Sequence, residues 1–270
     1  MSLHIVEKGN GYPIVFGHSY LWDAHMWDPQ VNELSKEYHC LGIELWNHGQ
    51  SPNVPKSPYS IEEMAEAYYQ AVLKQGIKEF AFVGLSVGGM IGVELALKYP
   101  KAVKALVVSA SHVGREPASS LTEYLGLMDR LDREAKISQE FAKELASYFF
   151  TKETLKNNPT LVNRFVQSLV AYPPQRIQGL TTIGRGIFNR KDRMKDLSQI
   201  QCPTLYMVGA DDIARPPHES QEMAKATPHS ECVIVPNAAH VNNLEQPEFV
   251  TNHLKSFLKK SIDFKHVAGF

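Results

Sequence analysis

Cysteine is scarce in this chain. Three cysteines in 270 residues, at 40, 202 and 232, are too few and too far apart for a disulfide framework or a zinc ribbon. Buried free thiols are the expectation. A surplus of one charge is also missing. Lysine and arginine number 28 against 29 acidic residues, so the total shows no basic footprint for nucleic acid. No apolar run is long enough to cross a bilayer. The opening stretch MSLHIVEKG lacks the apolar segment of a secretory signal, and a cytoplasmic location is expected. Glycine (17) and proline (16) are too sparse for a collagen-like or low-complexity chain. With 43% apolar and 21% charged residues, wholesale disorder is excluded as well.

Short apolar runs alternate with helical periodicity. Runs at Ile14–Phe16, Cys40–Ile43, Phe80–Val83, Val103–Val108, Thr204–Val208 and Cys232–Val235 read as strands covered on both faces. Helical patterns follow from Ile61, from Val87 to Lys98, over Ser220–Ala226 and from Glu248 toward Leu258. Ser60 and Glu63 have the spacing of a capping box. Strand–helix alternation of this kind predicts an α/β fold, a mostly parallel, doubly wound sheet.

From about Gly114 to Gln199 the strands stop. Leu121, Tyr124, Leu125, Met128 and Leu131 recur at helical spacing, as do Phe141, Leu145, Tyr148 and Phe149, and then Leu161, Phe165, Leu169 and Tyr172. This predicts a helical cap over residues 114–195, inserted into a core formed by 1–113 and 196–270. A cap over the carboxyl ends of the strands would shape a pocket and exclude water.

Gly84-Leu85-Ser86-Val87-Gly88 follows an apolar strand and opens a helix. That setting suits a nucleophilic serine on a sharp turn, with glycines where a Cβ would collide. A serine hydroxyl needs a base, and the base needs an orienting acid. Among eleven histidines, His240 stands in the loop between the last strand and the last helix. Asp211 and Asp212 both follow the strand ending at Val208, and spacing alone leaves the choice between them open. The order serine, aspartate, histidine is that of the α/β-hydrolase arrangement.

On these residues the chain resembles the α/β-hydrolase superfamily, specifically the lidded group of bacterial 3-oxoadipate enol-lactonases and related carboxylesterases. The likeness spans roughly residues 3–112 and 196–260. It is closest in Ala239-His240-Val241-Asn242-Asn243-Leu244-Glu245-Gln246-Pro247-Glu248. The resemblance implies an α/β-hydrolase fold with a helical cap, selects Asp212 as the last residue of Gly-x-x-Asp, and supports His240. It implies an oxyanion hole from the backbone N–H groups of Tyr20 and Val87. Two departures stand out. Ser19 replaces the usual glycine in His18-Ser19-Tyr20, and Trp46 and Asn47 replace arginine and glycine in a loop that is ordinarily structural.

The expected activity is acyl transfer on a small or medium carboxylic ester or lactone, by a Ser86–His240–Asp212 triad. No metal or organic cofactor is needed, and Asp23, His25, Asp28, His39 and His48 have no familiar metal spacing. A small-molecule substrate, with neither nucleic acid nor membrane as partner, is expected. Leu21 and Trp22 are candidate pocket walls, with Met128, Phe141 and Phe149 as further cap candidates. Arg185 and Arg190 are candidate anchors for an acidic substrate. Two alternatives share the fold: a carbon–carbon bond hydrolase, amidase or perhydrolase with the same triad, and a non-enzymatic small-ligand receptor or signalling protein.

Overall fold

Seven strands form one sheet in the order β1-β3-β2-β4-β5-β6-β7. The computed structural model describes residues 2–54 and 59–267, with side chains of the final helix described as far as Ile262. The strands are β1 (Ile5–Lys8), β2 (Tyr12–Gly17), β3 (Tyr38–Ile43), β4 (Phe80–Leu85), β5 (Val103–Ser109), β6 (Thr204–Gly209) and β7 (Ser230–Val235). Only β1 runs antiparallel among these pairings. It is an edge strand, half-exposed and four residues long, and its IVEK sequence carries too little apolar signal to be read as a strand. Central strands β4 and β6 are buried at every position, as strands covered on both faces must be.

Core helices are α1 (Asp28–Leu34), α2 (Ile61–Lys74) and α3 (Val87–Lys98). Between β5 and β6 come α4 (Ala118–Glu134), α5 (Gln139–Ala146), α6 (Lys152–Asn157), α7 (Pro159–Val170) and α8 (Ile177–Phe188), which form the cap region. The core closes with α9 (Pro217–Ala226), α10 (Asn242–Glu245) and α11 (Pro247–Val267). At α2 the Ser60–Glu63 capping box is present in both directions. Helix α5 stops at Ala146, so Tyr148 and Phe149 lie beyond it and not on its stripe. Helices α6 and α8 carry no signal singled out in the sequence. Cys40 and Cys202 are buried and Cys232 is half-buried, all three as free thiols. No described helix is long and apolar enough to cross a membrane.

Register explains why the candidate residues collect at one edge. Gly17 pairs with Gly84, Leu85 with Ser109, Ser109 with Met207, and Gly209 with Val235. The strands therefore end nearly in line, and the loops carrying Tyr20, Ser86, Asp212 and His240 leave from the same carboxyl edge.

Candidate active site

Ser86 sits between β4 and α3 at φ 58° and ψ −118°, a left-handed φ that a serine adopts only under constraint. Surrounding bonds hold it there. Its N–H donates to Ser109 O (2.8 Å), and its carbonyl accepts from Ser111 Oγ (2.7 Å) and Met90 N (3.1 Å). A Cβ on Gly84 would collide with the Gly88 backbone, and one on Gly88 with the Gly17 backbone. The glycines allow the close approach between β4, α3 and β2 that this turn requires.

Asp212 and His240 meet across the loops after β6 and β7. His240 Nδ1 lies 3.0 Å from Asp212 Oδ2. An ionised carboxylate only accepts, so Nδ1 carries the proton and Nε2 keeps its lone pair. The other Asp212 oxygen accepts from the backbone N–H of Ala214 (3.0 Å) and Arg215 (2.9 Å), which fixes the carboxylate plane. Asp212 is buried while Asp211 is exposed. Instead, the N–H of Asp211 donates to Ala238 O (2.9 Å), stitching the acid loop to the histidine loop. A Cβ on Gly209 would collide with the carbonyls of Ala238 and Ala239, so the glycine of the Gly-x-x-Asp pattern is needed for this approach.

Ser86 and His240 line one cavity of about 80 Å³, together with Tyr20, Leu21, Met128 and Phe149. Ser86 Oγ bonds to no other described residue. The Val87 amide opens α3 and, like the Tyr20 amide, has no acceptor among the described residues. Leu21 turns back at φ 68°, and its N–H donates to His48 Nε2 (3.2 Å). His48 Nδ1 in turn donates to Trp46 O (2.8 Å). His18 repeats the pattern, accepting from Leu45 N at Nε2 and donating from Nδ1 to Ser19 O. Both imidazoles are thus held neutral by geometry. Burial moves their pKa values the same way, to about 4 for His18 and about 3 for His48.

Other sequence candidates fall elsewhere. Trp22 lines a neighbouring cavity, not that of Ser86, and stacks on Phe165 with ring centroids 4.7 Å apart. Phe141 is fully buried inside the cap under the Arg130 guanidinium. Arg185 is neutralised by Asp129 and Asp132, and buried Arg190 by Glu116. Neither arginine lines the Ser86 cavity. Arg215 does, a residue with no motif or spacing in the chain to single it out. Its guanidinium pairs with Glu116, and more loosely with Glu219 at 3.5 Å. Trp46, at a departure from the family pattern, donates from Nε1 to Tyr59 Oη (2.9 Å), and Asn47 adopts φ 60°.

A sequence profile of the alpha/beta hydrolase fold matches residues 12–247. The chain belongs to the alpha/beta hydrolase superfamily. Among solved structures, a thermophilic esterase from Thermogutta terrifontis is similar at TM-score 0.88 and 27% identity, over 96% of this chain and 93% of the esterase. The enol-lactonase from Burkholderia xenovorans LB400 shares the fold at TM-score 0.84 and 24% identity, over 95% of this chain and 96% of its own. The (E)-2-((N-methylformamido)methylene)succinate hydrolase of Acinetobacter baylyi is 24% identical over 265 residues, 96% of this chain and 94% of that protein. The expected superfamily and fold are therefore those found, and the relatives point to a hydrolase related to esterases and lactonases.

Proposed function

We propose that this protein is a serine hydrolase acting by acyl transfer on a small carboxylic ester or lactone. The observation that carries the reading is the common cavity of Ser86 and His240, with Asp212 behind the imidazole. His240 Nε2 takes the Ser86 proton as Oγ attacks the carbonyl carbon. Asp212 holds the tautomer and stabilises the imidazolium. The oxyanion faces the N–H groups of Tyr20 and Val87, each contributing about 3 kcal/mol to the transition state. His240 returns the proton to the leaving oxygen, and the alcohol or enol departs while the acyl group stays on Ser86. Water, deprotonated by His240, then releases the acid and restores Ser86. Every group required is a side chain or backbone amide of this chain.

Cavity walls set the acyl preference. Apart from Ser86 and His240 they are mainly apolar, with Met90, Leu127, Leu131 and Ile187 among them. About 80 Å³ is the room of a few waters, which suits a short, uncharged acyl group. The test is hydrolysis of activated esters of increasing acyl length, with simple lactones, by wild type and Ser86→Ala in parallel. Turnover is expected to peak at short chains and to fall at least about a thousandfold in Ser86→Ala, with an unchanged melting temperature. Equal rates in the two proteins would reject the serine mechanism. Amides and carbamates belong in the same panel, because curated relatives include the Acinetobacter hydrolase above and a putative carbamate hydrolase.

A further inference from the structure

A second cavity, of about 300 Å³, lies beside the catalytic one, between the loop after β2 and the cap segment from α7 into α8. The two share Leu21 as a wall. Flat apolar surface comes from Trp22 and Phe165, stacked on each other, and from Tyr172. Tyr172 is fixed in place because its hydroxyl donates to Asn47 O. The charges are unbalanced. Arg176 spends its guanidinium on the neutral carbonyls of Gly49 (2.9 Å) and Ser51 (2.7 Å). Arg164, also on the wall, has no hydrogen bond or ion pair among the described residues. The one carboxylate among the wall residues is Asp23, which already accepts the His25 N–H (2.9 Å). The walls thus carry two guanidinium groups and one carboxylate.

We propose that this cleft binds small aromatic carboxylates. The ring lies against Trp22, Leu21 and Tyr172, and the carboxylate pairs with Arg164, whose planar fork suits two parallel hydrogen bonds. Arg176 adds charge without moving, since the cap's docking onto residues 49–51 already fixes it. An occupant touches Leu21 and His48, the pair that shapes the backbone next to the Tyr20 amide. The carboxylate could arrive as a separate molecule or as the far end of a substrate whose ester lies at Ser86. The second case rests on the proposed acyl transfer.

Calorimetric titration of the full-length protein with benzoate, and with benzamide as neutral control, tests the site. Saturable one-to-one binding of benzoate is expected, with benzamide about tenfold weaker or worse. Arg164→Gln, at an exposed position, is expected to weaken benzoate about tenfold at an unchanged melting temperature, and Ser86→Ala to leave it intact. Absent saturation, equal affinity for benzamide, or indifference to Arg164→Gln would each overturn the proposal. Kinetics with a neutral short-chain ester separate the two sources. A benzoate-induced rise in KM alone marks the far end of a substrate channel, and a change in kcat marks a separate ligand acting through Leu21. Unchanged turnover at saturating benzoate overturns the link through Leu21. Failure of the proposed activity would show as absent esterase turnover, with the titration still decisive.

Discussion

Phe149 in the cap accepts, at its carbonyl, the N–H of Val241, the residue after His240 (3.2 Å). A second tie brackets the histidine from the other side. Glu245 accepts the N–H of Ala239 (2.7 Å) at one oxygen and, at the other, the N–H (2.9 Å) and hydroxyl (3.0 Å) of Thr151 in the cap. The Phe149 ring also meets the imidazole edge-on, with centroids 5.5 Å apart. Cap segment 149–151 therefore helps to hold His240, besides covering the cavity.

Glu245→Ala leaves the Ala239 and Thr151 amides without their acceptor, a loss of roughly 1–3 kcal/mol for each amide that stays dry. A lower melting temperature is expected, with kcat falling several-fold and KM changing little. Glu245→Gln, which retains an acceptor, should recover part of both. Thermal unfolding and steady-state kinetics on the two variants check this, and a loss confined to stability would reject the positioning role.

Asp212→Asn is expected to lower kcat by roughly 10³–10⁴, because an amide can present its NH₂ to Nδ1 and favour the wrong tautomer. Asp211→Asn should stay within about twofold, because Asp211 engages its neighbours through its backbone N–H and its side chain is exposed. Parallel kinetic measurements decide, and equal losses would contradict the assignment.

Glu116 is a clasp between both cap stems and the acid loop. Its carboxylate pairs with Arg190 at the end of the cap and Arg215 beyond Asp212. Burial pushes its pKa up, but the two guanidinium groups outweigh this and hold it below the usual range. Glu116→Gln leaves buried Arg190 without its carboxylate and Arg215 with only the looser Glu219, which costs roughly 3–5 kcal/mol. Denaturant unfolding should show a lower midpoint, and a change under about 1 kcal/mol would refute the clasp.

His18 and His48 make stability depend on pH. Their folded pKa values lie below the ordinary histidine value of 6.5. The unfolded chain therefore binds more protons once pH drops below about 6.5, and stability falls with it. The loss continues through the folded values near 4 and 3, below which these two groups add no further slope. Unfolding near pH 5, between the unfolded and folded values, should take up nearly two protons from this pair. His48→Gln, able to accept from Leu21 N–H, should reduce the uptake by about one. An unaltered pH slope in that variant would sink the account.

Much of this was legible in the chain. Six strands reveal themselves as short apolar runs because a parallel strand is buried on both faces and tolerates few polar residues. The serine turn is visible because its sterics demand glycine at 84 and 88. Half-exposed β1 escapes because an edge strand has no such requirement. The cap reads only as helical stripes, and stripes say which residues face apolar neighbours, not which neighbours. That is why Phe141 and Trp22, apolar and well placed along the chain, do not line the Ser86 cavity. Arg185 and Arg190 likewise look available until their carboxylate partners appear, up to 74 residues away.

By itself the sequence determined the fold family, the serine turn and a short set of candidates for base and acid, because each depends on local sterics or periodicity. Family likeness then favoured Asp212 over Asp211. Only the tertiary structure set Asp212 against the imidazole, tied His240 to the cap through Phe149 and Glu245, and left Arg164 and Arg176 without carboxylate partners beside an aromatic wall. Those relations join residues far apart in the chain, and strand register and cap docking bring them together.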